Sequence, residues 1–236
     1  MARATTPIHT LAAVFITASL GCGLLDADVD LAQQTFTLDF GQQTGTMPTI
    51  ACDANAGACG GAMTFDASAT AGTPTEVDVT VGCDGSSRQC YALVNARATT
   101  TVAVLQDDAF SSKVARHALS FVELSDVAYT IPINTITFDI PQADVYAGPA
   151  GSTRETDPGV ALLGKTEPIA AGTPTTTTQH MIIKPDAPAR EVIKHAVENK
   201  QDFVFIVVAS PRMDAGSPVP AGSLQIVVSP KLKVGL

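Results

Sequence analysis

Apolar and polar residues alternate along much of this chain with a period of two, the pattern of a strand buried on one side. Residues 35–40 (TFTLDF) place Phe36, Leu38 and Phe40 on one face, and residues 76–81 do the same with Val77, Val79 and Val81. Residues 91–105 are rich in Val and Thr, which predicts one long strand or two joined by a bend near Arg97 to Thr100. A short strand is expected at 62–67. The densest signal is 118–146: Leu119 and Phe121 open it, 127–133 continues it, and Ile136, Phe138 and Ile140 alternate with Thr137 and Asp139. Pro132 and Pro141 cannot donate to a ladder and are expected at strand ends or edges. Residues 144–146, 161–166, 179–183, 224–228 and 231–234 add further strands, the last two flanking Pro230.

Two stretches break the period. Residues 203–209 (FVFIVVA) are continuously apolar, as expected of a central strand buried on both faces. The stretch after Asp186 places Val192, Ile193, Ala196 and Val197 on one helical face, with Asp186 as the expected N-cap, Pro188 in the first turn and an end near Asn199. The segments GPAGSTRETDPG (148–159) and AAGTPTTTT (170–178) read as turns and loops. Many short strands with one helix predict an all-β sandwich with jelly-roll or Greek-key connections. Residues 35–236 are expected to form a single domain, the alternative being a split near 115.

The N-terminus follows a different rule. Arg3 precedes an apolar run at 11–20 (LAAVFITASL), the layout of a secretory signal over residues 1–21. The run is too short to span a bilayer, which takes about 20 residues. Ser19-Leu20-Gly21-Cys22 resembles the lipobox of bacterial lipoproteins, with Ser19 standing where that family prefers Leu. The resemblance implies lipidation of Cys22 as the first mature residue, with Gly23 directing the chain to the outer membrane or cell surface. Residues 22–34 are expected to be the lipid anchor and an acidic tether.

Cys52, Cys59, Cys83 and Cys90 remain once Cys22 is assigned to lipid. An even number in an exported chain reads as two disulfides. Three pairings exist. The equal C-x6-C spacings favour two local loops, 52 with 59 and 83 with 90, each stabilising by about 2 to 3 kcal/mol; a crossed pairing would instead staple neighbouring strands. Zinc knuckles need shorter spacings, so no metal site is expected.

Charge narrows the partners. Without the signal, 13 Lys and Arg face 23 Asp and Glu, a net −10. Such a surface repels phosphate backbones, so no nucleic acid is expected. The absence of Trp and the 5% aromatic content argue against a carbohydrate platform without excluding one.

Chemistry is sparse. His117, His180 and His195 are the histidines outside the signal, and no G-x-S-x-G elbow accompanies them. Asp26, Asp28 and Asp30 start a calcium-loop pattern, but Leu31 replaces its glycine and Thr37 its bidentate glutamate; they read as part of the solvated tether. Asp53, Asn55 and Gly57 start another that ends on Thr64. Asp107, Asp108 and the 154–157 cluster (RETD) read as polar loop surface. The loops 148–159 and 172–179 are the expected binding surfaces.

Residues 134–149 (NTITFDIPQADVYAGP), 157–164 (DPGVALLG) and 215–228 (AGSPVPAGSLQIVV) resemble predicted lipoproteins of myxobacteria, over roughly 119–235. That group has no assigned function, so the resemblance implies the anchor and β fold and no activity. The resulting expectation is a non-enzymatic cell-envelope lipoprotein with no cofactor and no catalytic residue, which meets the membrane through its lipid and an envelope protein through its sandwich. A glycan- or calcium-binding surface module is the alternative, and a hydrolase with a scattered site a weaker one.

Overall fold

The computed structural model describes residues 26–41, 45–52, 59, 75–106, 110, 119–184 and 186–235. Cys22, the signal segment, the loop 53–58, the strand expected at 62–67, Asp107, Asp108 and His117 lie outside the described residues.

Two antiparallel sheets face each other. The strands of the smaller are β1 (Asp26–Asp30), β2 (Gln34–Asp39), β5 (Phe121–Asn134), β8 (Thr175–His180) and β12 (Ser223–Gly235); β12 is flanked by β5 on one side and by β1 and β2 on the other. The larger contains β3 (Thr75–Asp84), β4 (Gln89–Val102), β6 (Ala143–Pro149), β7 (Ala161–Lys165), β9 (Ile182–Ile183), β10 (Phe203–Ala209) and β11 (Arg212–Met213). Here β10 lies between β4 and β6, and β3 forms the far edge. Neighbours are mostly not consecutive in sequence, as Greek-key connections require. The chain is therefore an all-β sandwich.

Alternation builds the core. Phe36, Leu38, Leu224, Ile226 and Val228 face inward from the smaller sheet, and Val94, Leu163, Phe203, Phe205 and Val207 from the larger. Helix α1 (Pro188–Glu198) packs against β5, β6 and β7 and buries Ala189, Ile193, Ala196 and Val197. Its cap is Ala187, not the expected Asp186, with no side-chain cap bond; Pro188 at the start needs no donor partner.

Several expectations need correction. Residues 26–30 are not tether. Ala27 and Val29 turn inward while Asp26 and Asp28 meet Lys233 and Lys231 across β12, at 3.0 and 3.5 Å. The sandwich thus begins nine residues before the expected boundary at 35. Residues 91–102 form one strand without a bend. Threonines 175–178, expected as loop, belong to the exposed strand β8. Residues 136–140 keep the expected alternation of burial but bend at Thr137 and Phe138 and form no strand, apart from a bridge of Ile140 to Ile169.

Pro141 lies outside the strands, just before β6, whereas Pro132 and Pro230 lie within β5 and β12. Pro132 falls where the β5–β12 register shifts between Gln225 and Val227, a bulge that tolerates a missing donor. Pro230 faces the join of β1 and β2, where its carbonyl accepts from Leu31 N–H at 3.0 Å and its missing donor coincides with the interruption of that ladder between Asp30 and Gln34.

The disulfides are crossed: Cys52 joins Cys83, and Cys59 joins Cys90, with Cα separations of 5.9 and 5.8 Å. The local pairing favoured by spacing is overturned. Cys83 and Cys90 already face each other across the β3–β4 hairpin, whose backbone ladder closes that loop. Residues 50–52 dock on the other edge of β4, where Cys52 N–H donates to Arg88 O at 3.0 Å and Cys90 N–H to Ile50 O at 2.9 Å. The bonds therefore tie that incoming segment to the hairpin. Each spans 31 residues, which raises the chain-entropy stabilisation to roughly 3–4 kcal/mol.

Candidate functional site

On the outer face of the larger sheet, β10 turns Val204, Ile206 and Val208 away from the main core, yet all three are buried. The β6–β7 loop covers them. Gly148, near the end of β6, lies so close under Val160 of this loop that a Cβ there would meet the valine methyl at 2.5 Å. Val160 and Tyr146 complete this second apolar cluster.

The loop is held by its own turns and by one buried cation. Asp157 accepts the backbone N–H groups of Thr153 and Arg154 at 2.8 and 3.0 Å, which holds its carboxyl below the usual range. Arg97, on the outer face of β4, has a side chain only 6% exposed. Its Nε and Nη2 donate to the two oxygens of Glu155 at 2.6 and 2.9 Å, and Nη1 donates to Asp78 at 3.0 Å, with Glu76 at 3.3 Å. Arg154 reaches Glu76 in turn. The loop thus spans from β6 over β10 to β4 and β3. The Glu155 bond keeps Arg97 firmly charged despite burial, and Arg97 holds the Glu155 carboxyl below its ordinary value.

The expected loop surface at 154–157 is therefore partly structural. Arg97, read only as a place for a bend, is its key residue. The available signal was a lone cation between Ala96 and Ala98 on a Val- and Thr-rich strand, where an unpaired charge could not be buried.

Beside this loop an open cleft of about 720 Å³ separates α1 from the β6–β7 turn and the entry to β10. Pro149, Ala150, Val192 and Ala196 form its apolar walls, with Glu191, His195 and Asp202 at the polar positions. Asp202 is engaged by Val104 N–H at 3.1 Å. His195 is exposed, as its place on the helix suggests. His180 is elsewhere, on β8, with Nδ1 2.8 Å from Asp126 on the smaller sheet. The fold does not bring these two histidines together, and the second expected loop, 172–179, has largely become β8.

At the hairpin end of the larger sheet, Arg212 lies 4.1 Å above the Tyr91 ring and pairs with Asp84 and, at 2.8 Å, Asp214. Asp84 also accepts from the Ser86 hydroxyl and from the N–H groups of Ser86 and Ser87. The Ser86 hydroxyl first, and then Arg212, keep its carboxyl far below the normal range. The hairpin tip is thereby fixed beside the disulfides.

The disulfides mark an oxidising, exported environment. Among the described residues no helix is long and apolar enough to cross a membrane. No family model and no curated protein matches the chain. A solved structure from Desmodium yellow mottle tymovirus aligns with all of this chain and 96% of its own at 10% identity, but its TM-score of 0.23 carries no argument about fold or function.

Proposed function

We propose that this chain is a non-enzymatic lipoprotein of the cell envelope, held at the outer membrane or cell surface by acyl chains on Cys22, whose sandwich serves a structural or protein-interaction role. The observation that carries the interaction role is the β6–β7 loop, whose geometry is set in advance by Arg97 and Glu155. A surface ordered before contact loses less entropy on binding, which is what recognition through a loop requires. The placement of β1 bears on the anchor. With the sheet starting at Asp26, only residues 23–25 separate it from Cys22, a reach of at most about 14 Å, so the sandwich would lie against the membrane.

Palmitate labelling tests the anchor: wild type incorporates label and Cys22→Ser does not, and equal label in both defeats the assignment. For the interaction role, Thr156→Trp adds bulk at an exposed loop position. It should release an envelope partner that cross-links to the wild type while leaving the melting temperature unchanged. A partner retained by the variant would move the interface off this loop.

The cleft beside α1 favours a second reading, a ligand-binding surface module. A glycan bound there raises the melting temperature by mass action, and a panel of glycans, with calcium as a separate arm, checks it. No shift in either arm removes this reading.

A further inference from the structure

The crossed pairing has brought all four body cysteines to one place. The sulfurs of Cys52, Cys59 and Cys90 lie within 4.8 Å of one another, and Cys83 is bonded to the first of them. Cys59 and Cys90 are 3% and 1% exposed. Backbone pairing holds three of the four there independently of the S–S bonds: Cys83 and Cys90 are register partners, and residues 50–52, with Cys52, are bonded to the start of β4, while buried Cys59 is joined through Cys90.

A tetrahedral centre with metal–sulfur bonds of about 2.3 Å sets its sulfurs about 3.8 Å apart, so each bonded pair must open from the ~2.05 Å of an S–S bond once reduced while the two pairs stay side by side. Thiolates select soft or borderline cations, and four of them suit zinc. The C-x6-C spacing spoke against zinc because short knuckles usually hold two ligands on one turn. Here two strands and an incoming segment supply the ligands, which the spacing does not display.

We propose that Cys52, Cys59, Cys83 and Cys90 form a redox-gated soft-metal site: two disulfides when oxidised, and a tetrathiolate site for one zinc-class divalent cation when reduced. A water-soluble phosphine supplies the reduction. Each phosphine gives two electrons to one S–S bond and becomes the phosphine oxide with oxygen from water, whose two protons go to the released thiols. Two phosphines thus yield four thiols. Binding the cation then forms four metal–sulfur bonds and releases four protons. The inference is independent of the anchor and of any envelope partner.

The test uses the full chain carrying Cys22→Ser, so that a fifth thiol does not contribute. After phosphine reduction and desalting under nitrogen, cobalt(II) is titrated in as the probe. One equivalent should produce sulfur-to-cobalt charge transfer and the visible bands of tetrahedral tetrathiolate cobalt, and zinc should bleach them. Adding Cys59→Ser or Cys90→Ser should remove the tetrathiolate spectrum, and the oxidised chain should give none. The proposal is overturned by a spectrum of octahedral type or no spectrum, by equal uptake in the oxidised chain, or by a spectrum indifferent to Cys59→Ser. Circular dichroism guards against simple unfolding: a reduced chain that loses its β signal and does not regain it with cobalt also overturns it.

Discussion

The outer faces of the two sheets are finished in different ways. On the smaller sheet, Asp26 and Asp28 meet Lys233 and Lys231 in solvent, and the edge strand β8 is mostly exposed, with threonine at four of its six positions. On the larger sheet, the apolar strip of β10 is roofed by a loop whose clamp is a buried guanidinium. Exposed pairs contribute little, because water screens them and long side chains must be immobilised to form them. A buried Arg is different: once dehydrated it must keep its carboxylates. The same residue types therefore finish one face and hold an element in place on the other.

Four measurements would break or sharpen that contrast. The largest effect is expected from Arg97→Ala, which leaves Glu155, Asp78 and Glu76 facing one another and costs about 3 to 5 kcal/mol in urea unfolding. Lys233→Ala on the opposite face should leave the midpoint unchanged, and equal losses would erase the distinction. Next comes Ile206→Ala, expected to cost about 2 to 4 kcal/mol because the roof makes its outer face a true core. Val227→Ala, on the outer side of β12, should cost less than about 1 kcal/mol.

Glu155→Gln should have a smaller effect, about 1 to 2 kcal/mol, since shape and one hydrogen bond survive while the charge is lost. Amide exchange in residues 150–160 should accelerate with it. The smallest effect is pH-dependent. Glu155 has its folded-state pKa depressed, so its contribution is complete above the unfolded glutamate value of about 4.3 and is lost as pH falls through the folded value. The stability gap between wild type and Glu155→Gln should therefore narrow on acidification from pH 5; a gap independent of pH would mean that packing alone holds the loop.

How far this was readable in the sequence depended on whether the signal was local. Strand β2, the central strand β10 and helix α1 carry their periods openly, and the structure places them within about one residue of the expected limits, inside the usual ambiguity of element ends. Strand β1 was hidden because three aspartates suggested solvation. The pattern D-A-D-V-D nonetheless alternates, and its acids are the outward half of a strand paired with lysines some 200 residues away. Four threonines in β8 looked like loop for a similar reason, although β-branched residues suit an exposed edge.

The site was less legible. Neither the Arg97–Glu155 pair, 58 residues apart, nor the disulfide pairing can be read from spacing, because both depend on which strand lies beside which. Turn chemistry at 148–159 did mark a stretch that the structure forms as turns. What it could not show was that the loop folds back onto its own sheet.

Strand β12 has a consequence for the order of events in folding. It supplies the ladder partners of β1, β2 and β5, so the smaller sheet has no centre until residues 223–235 are present. Contacts of such long sequence separation form late and slowly. A chain emerging N-terminus first would expose β1 and β2 unpaired, and the edge of β5 away from β8, until β12 arrived. Completion of this sheet therefore waits on residues 223–235, and a chain interrupted before residue 223 would be an aggregation-prone half-sandwich rather than a smaller stable domain.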